Sequence, residues 1–153
     1  MRLNLKAVSA ALGLSMALVV CGPVLAGGAQ NDDSANFLRV EPSAGDLTLI
    51  REKSQWRVLI RAGGLPNGAA TAADCELQAR GVQDRDDVIH ARIIPFQGEL
   101  NDLTEADIGA DAPVVLVRVG PEGAFIEDSG AAARFCGMGS DISGFYVRAQ
   151  TLD

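Results

Sequence analysis

"CELQARGVQDRDDVIHARIIPF", residues 75–96, decides the architecture. Cys75, Leu77 and Ala79 fall on one side of an extended chain, and Glu76, Gln78 and Arg80 fall on the other. That period of two is the signature of a strand with one face buried. "DRDD" at 84–87 turns the chain and "VIHARIIPF" at 88–96 returns, which reads as a hairpin with a four-residue polar connection.

The same pattern extends in both directions. "FLRVE" at 37–41, "DLTLI" at 46–50 and "QWRVLIR" at 55–61 are short alternating segments parted by turn residues. In the third, Trp56, Val58 and Ile60 share a face while Arg57 and Arg61 take the other. "AGGLPNGAATAAD" at 62–74 is a loop by its glycines, Pro66 and Asn67-Gly68. Downstream, "PVVLVRV" at 113–119 and "AFIED" at 124–128 flank the turn "GPEG", whose Pro121 presets φ. "AARFC" and "SGFYVRA" supply two last strands. One segment alone reads as helical, "LTEADIG" at 103–109, with Thr104 as N-cap, Asp107 completing a capping box and Gly109 as stop. Eight or nine short strands at regular spacing predict an all-β fold with one short helix: a small antiparallel β-sandwich or β-barrel.

The chain begins with a different kind of segment. Arg2 and Lys6 precede the uncharged apolar run "AVSAALGLSMALVV", and Val24-Leu25-Ala26 offers a cleavage site, so residues 1–26 read as a signal peptide. The run is short for a membrane span and is broken by Gly22-Pro23. Cys21 raises lipidation as an alternative, with Val20 standing where a lipobox takes a small residue. Residues 27–36 read as a polar, glycine-containing leader and 37–153 as one β domain, placed in the periplasm or outside the cell.

Cleavage after Ala26 leaves 127 residues, enough for a single core. Arg2 and Lys6 leave with the signal and no acidic residue does, which moves the formal charge from −7 to −9. So acidic a chain argues against nucleic acid and against an anionic membrane surface, and is compatible with a cationic partner. The mature chain keeps two cysteines, Cys75 and Cys136, which in an oxidising compartment are expected to form one disulfide.

That pairing bears on "RFCGMGSDISGFYVRA", 134–149. A nucleophilic Cys136 needs a free thiolate and a base, for which His90, the chain's sole histidine, is the one imidazole available. A cystine removes the thiolate. "GMGS" at 137–140 lacks the phosphate-loop pattern and its lysine, so the glycines read as a tight turn beside the disulfide rather than an anion cradle. A loop braced at its base is pre-organised for recognition, and Met138, Asp141, Ser143 and Tyr146 are its candidate contact residues.

His90 lies mid-strand and reads as structural, and the serines lack a nucleophile-elbow context. "DRDD" lacks the glycine and distal glutamate of a calcium loop. No cofactor or metal is expected. Arg57, Arg61, Arg80, Arg92, Arg118 and Arg148 all fall within predicted strands. Cross-strand ion pairs account for them, or else a guanidinium row that grips a carboxylate or glycan.

The architecture is similar in outline to small exported bacterial β-proteins that bind or inhibit hydrolases, such as periplasmic lysozyme inhibitors. The "SGFY" run at 143–146 resembles their Ser-Gly-containing loop, while the surrounding pattern departs from theirs and no inhibitory residue transfers. The expectation is an exported, non-enzymatic binding module, monomeric or weakly oligomeric, whose partner is a protein or glycan of the envelope. An inhibitor or immunity-type protein that blocks a secreted hydrolase is its specific form, and a small His90-dependent hydrolase is the competing reading.

Overall fold

The computed structural model describes residues 33–64 and 74–150. In chain order the elements are β1 (Ser34–Arg39), β2 (Gly45–Glu52), β3 (Gln55–Ala62), β4 (Cys75–Gln83), β5 (Val88–Ile93), β6 (Phe96–Gln97), β7 (Asp102–Leu103), α1 (Glu105–Ile108), β8 (Val114–Val119), β9 (Gly123–Asp128), α2 (Ala131–Phe135) and β10 (Gly144–Arg148). Eight strands close into an antiparallel barrel in the order β1-β10-β9-β8-β5-β4-β3-β2, while β6 and β7 form a separate two-stranded ribbon. Apart from that excursion, order around the wall follows order along the chain, so the barrel is an up-and-down meander. Closure between β1 and β10 leaves the barrel itself without a free sheet edge.

Alternation builds the core. Leu47 and Leu49 of β2, Val58 and Ile60 of β3, and Leu77 and Ala79 of β4 point inward and are buried, and Tyr146 and Phe37 are the largest side chains with no exposed surface. An eight-stranded barrel has an interior just wide enough for such residues to fill. The hairpin at 75–96 forms, with Val82 opposite His90 and Ala79 opposite Ile93. Among the described residues no helix is long and apolar enough to cross a membrane.

The two ends of the barrel differ. Short turns at 53–54, 84–87 and 120–122 close one end. At the other end lie the connections 40–44, 94–113 and 129–143, and there the chain also leaves β3 and enters β4. There α1 carries the capping box read from sequence, with Thr104 Oγ1 accepting the Asp107 amide and the Asp107 carboxylate accepting the Thr104 amide at 2.8 Å. Ile108, Ala131 and Ala132 seal that end against the core.

"AARFC" is helix α2, not a strand. Asp128 explains the difference: Oδ1 accepts the amides of Gly130 and Ala131 at 3.0 and 2.7 Å, and Oδ2 accepts that of Ala132 at 3.0 Å. The carboxylate satisfies the orphan N–H groups of the first turn from outside the helix, and three consecutive alanines then favour α. Gly130, at φ 106, makes the reversal that an L side chain resists. The first strand also begins earlier than read, at Ser34 within the segment taken as leader. The signal peptide, Cys21 and most of the loop at 62–74 lie outside the described residues.

Candidate functional site

The glycine-rich loop sits on the loop-rich end and is fastened at both of its ends. Cys136, at the C-terminus of α2, is bonded to Cys75 at the start of β4, with Cα atoms 5.1 Å apart. At the far end the fastener is Arg39, whose side chain is 0 % exposed. Its Nε donates to the Ser43 carbonyl at 3.1 Å and Nη2 to Ser43 Oγ at 3.0 Å, while Nη1 and Nη2 donate to the carbonyls of Ser143 and Asp141. Ser43 Oγ donates onward to the Gly63 carbonyl at 2.7 Å, so one guanidinium ties three rim connections together. Within the loop, the Ser140 amide donates to Gly137 O at 3.1 Å and the Ser143 amide to Asp141 Oδ1 at 2.9 Å. The "GMGS" segment is therefore a turn closed on itself.

The four loop residues separate accordingly. Asp141 and Ser143 are partly exposed and share Arg39, and Met138 projects with 96 % of its surface in solvent. Tyr146 is a correction: it is 0 % exposed and cannot touch a partner. Alternation turns it inward, its hydroxyl donates to Ile142 O at 2.9 Å, and its ring lies beneath Arg39. Burial pushes its phenol up to about 12, against the opposing charge of Arg39.

If Tyr146 points in, Phe145 and Val147 must point out, and they do so into an apolar surface. Leu38 and Val40 of the β1 side, Phe145 and Val147 of β10 and Phe125 of β9 are all exposed, Val40 by 82 %. Leu38 is the direct partner of Val147, and Phe145 of Phe125. Gly123 sits beneath the Phe145 ring: a Cβ there would lie 2.2 Å from Tyr146 O and 2.8 Å from Phe145 Cζ. The face is thus a compact patch across β1, β10 and β9 that begins two residues after Ser143. Contiguous exposed apolar surface of this kind marks interaction sites, whereas scattered single residues do not. The sequence carries its signal: "FLRV" and "GFYV" are apolar at odd and even positions alike, so whichever face is buried, the other remains apolar.

The alternative centres are spent locally. His90 Nε2 pairs with Asp84 Oδ2 at 2.8 Å on the convex outer wall, where its lateral neighbours are Val82 and Leu116, neither a nucleophile. Asp84 Oδ1 accepts the amides of Asp86 and Val88, and the Val88 amide with the His90 ring holds this carboxyl below its usual value. Among the described residues no three His, Cys, Asp or Glu side chains are grouped to hold a metal ion.

Fold and site define a class: a filled up-and-down barrel with one wall apolar on its outer side and a doubly fastened loop at the rim of that wall. No protein-family model matches the chain, and no curated protein or solved structure is detectably similar to it.

Proposed function

We propose that this chain is an exported, non-enzymatic binding protein. Its contact surface is the outer face of β1, β10 and β9 together with the rim loop bearing Met138. The observation that carries the reading is the exposure of Leu38, Val40, Phe125, Phe145 and Val147 as one patch on a rigid wall. Closed strands and a loop fastened at both ends have little freedom left to lose on association, which favours affinity. Met138 adds an adaptable apolar contact at the edge.

The occupant is a basic protein with a complementary apolar patch. Glu41 and Glu122 lie at the face beside Arg148 and Arg118, so it is the formal charge of −7 on the whole chain that would steer such a partner and reject acidic ones. A secreted basic hydrolase blocked at its active-site rim is the specific form that this chemistry suits best.

The test compares wild type with a Val40→Asp, Phe145→Asp double variant as baits in envelope extract. The reading requires basic proteins retained by wild type in a salt-sensitive manner and lost by the variant, with the circular dichroism of the two baits unchanged. An identical retained set for both baits defeats it. A concentration-dependent dimer of wild type that the variant abolishes gives the face to a second copy instead.

A further inference from the structure

On the opposite wall, three arginines stand side by side. In the closed order of eight strands β4 lies diametrically across from β10. Arg80 of β4 is the direct partner of Arg57 in β3 and of Arg92 in β5. Directly opposed residues have Cα atoms ~4.5–5.5 Å apart, so three guanidinium groups share a strip ~10 Å long. Like charges in that relation are unfavourable. The flanking positions of the row, Ile50 and Val114, are uncharged.

Internal compensation is incomplete. Glu52 serves two of the three cations, with Oε2 at 2.9 Å from Arg80 Nη2 and Oε1 at 3.7 Å from Arg57 Nη1. Gln78 accepts from Arg57 Nη2 at 2.7 Å. Arg92 reaches the Ala110 carbonyl at 3.4 Å, and among the described residues it has no carboxylate partner. Arg57 Nε is buried without an acceptor. Three cations against one carboxylate leave a local surplus of positive charge in a chain whose total is −7.

We infer that this row is a binding strip for a linear acidic polysaccharide, its carboxylate or sulfate groups seated between Arg80 and Arg92 and beside Arg57. Guanidinium is the group suited to such oxyanions, since its fork of donors matches them two at a time. The strip lies on a convex wall, whereas small-molecule sites are concave, so the geometry suits an extended chain. Screening confines the rest of the protein's negative charge to a range of ~8 Å at physiological salt, and the strip acts within that distance. Single-stranded nucleic acid is the less suitable polyanion, because the row offers no aromatic ring on which a base would stack. The strip is independent of the apolar face on the far wall, and either can fail alone.

The experiment titrates the full chain with polygalacturonate, with dextran sulfate and with single-stranded DNA, following the Arg Nε–Hε signals by NMR and affinity by calorimetry. At least one polysaccharide should bind, shifting Arg80 and Arg92, and the two together distinguish carboxylate from sulfate. Arg80→Gln and Arg92→Gln should each weaken binding ~10-fold and reduce the log–log salt slope by about one. Arg118→Gln, on β8 outside the row, should leave both unchanged. Among the described residues Arg92 has no ion pair to lose, so its variant should fold as wild type does. The inference is overturned if neither polysaccharide binds, if Arg118→Gln weakens binding as much as Arg92→Gln, or if DNA binds as tightly as the better polysaccharide.

Discussion

The guanidinium of Arg39 lies over the ring of Tyr146, 5.2 Å from its centroid, and both side chains are 0 % exposed. The two come from β1 and β10, the strands whose pairing closes the barrel. Arg39 holds the carbonyls of Asp141 and Ser143, and Tyr146 holds that of Ile142, so consecutive residues of one loop are gripped from below. Barrel closure and loop order thus draw on the same two residues in this chain.

Arg39→Met should test that coupling. It keeps much of the apolar stem but leaves carbonyls of Ser43, Asp141 and Ser143 without their donor, each costing ~1–3 kcal/mol where water cannot replace it. A loss of ~3 kcal/mol in urea unfolding is expected, with m unchanged. Asp141→Asn should cost under ~1 kcal/mol, because its carboxylate is 3.9 Å from Arg39 and 38 % exposed. The reverse order of effects would mean that the ion pair, rather than the carbonyl cage, holds the loop.

Tyr146 is the only tyrosine in the chain, so its ionisation can be followed without interference. The phenol ionises at 10.0 when unperturbed and is raised to about 12 by burial in the fold. Between those values the unfolded chain has lost its proton and the folded chain keeps it, so stability should fall as pH rises through the interval. Phenolate absorbance should appear only near the upper value or together with unfolding. Titration at the ordinary value in a folded sample would show that the ring is accessible. Tyr146→Phe should flatten the alkaline loss and cost ~1 kcal/mol at neutral pH for the bond to Ile142 O.

Removal of the disulfide by Cys75→Ala with Cys136→Ala frees a closed loop of sequence separation 61, for which chain entropy gives ~4 kcal/mol. Arg39 still grips the other end of the rim loop. Amide exchange should therefore accelerate most at 136–140 and least at the Ser143 amide, which Asp141 Oδ1 holds beside that grip. Uniform acceleration across the loop would place the whole of its order in the sulfur bridge.

The barrel was legible because its wall alternates, and each predicted hairpin at 75–96 and 113–128 has its turn where polar or Pro-Gly residues fall. Helix α2 was not, because its start depends on Asp128, a residue that also ends a good strand pattern, and only the folded chain shows the carboxylate bent onto three amides. The site was half legible. Cys75 and Cys136 fixed one anchor of the loop, but Arg39 is not among the arginines that the sequence singles out, and only the folded register turns it in with Phe37. The same register moves Tyr146 out of the contact set and Phe145 and Val147 into it.

Glu76 offers a test of how the long connection 94–113 is held. It belongs to the outward face of β4 yet is buried, because that connection folds over it. Burial disfavours its charge, but the amides of Leu100 and Glu99, each donating to Oε2 at 2.9 Å, and Arg61 at 3.3 Å from Oε1 outweigh that cost and hold the carboxyl below its ordinary 4.5. A carboxyl depressed in the fold contributes stability that is complete above the unfolded value and is lost as pH falls through the folded one. Glu76→Gln, with its amide oxygen in the place of Oε2, keeps an acceptor for both amides but loses the charge and the acceptor that faces Arg61, and at neutral pH it should cost ~1.5–3 kcal/mol. Wild type and variant should then converge as the medium is acidified below 4.5, where the wild-type carboxylate begins to take up its proton on unfolding. Urea midpoints measured at intervals from neutral pH into that acid range decide the matter. A gap that stays constant would assign the effect to packing, whereas a closing gap assigns it to the anion that clasps the Glu99 and Leu100 amides.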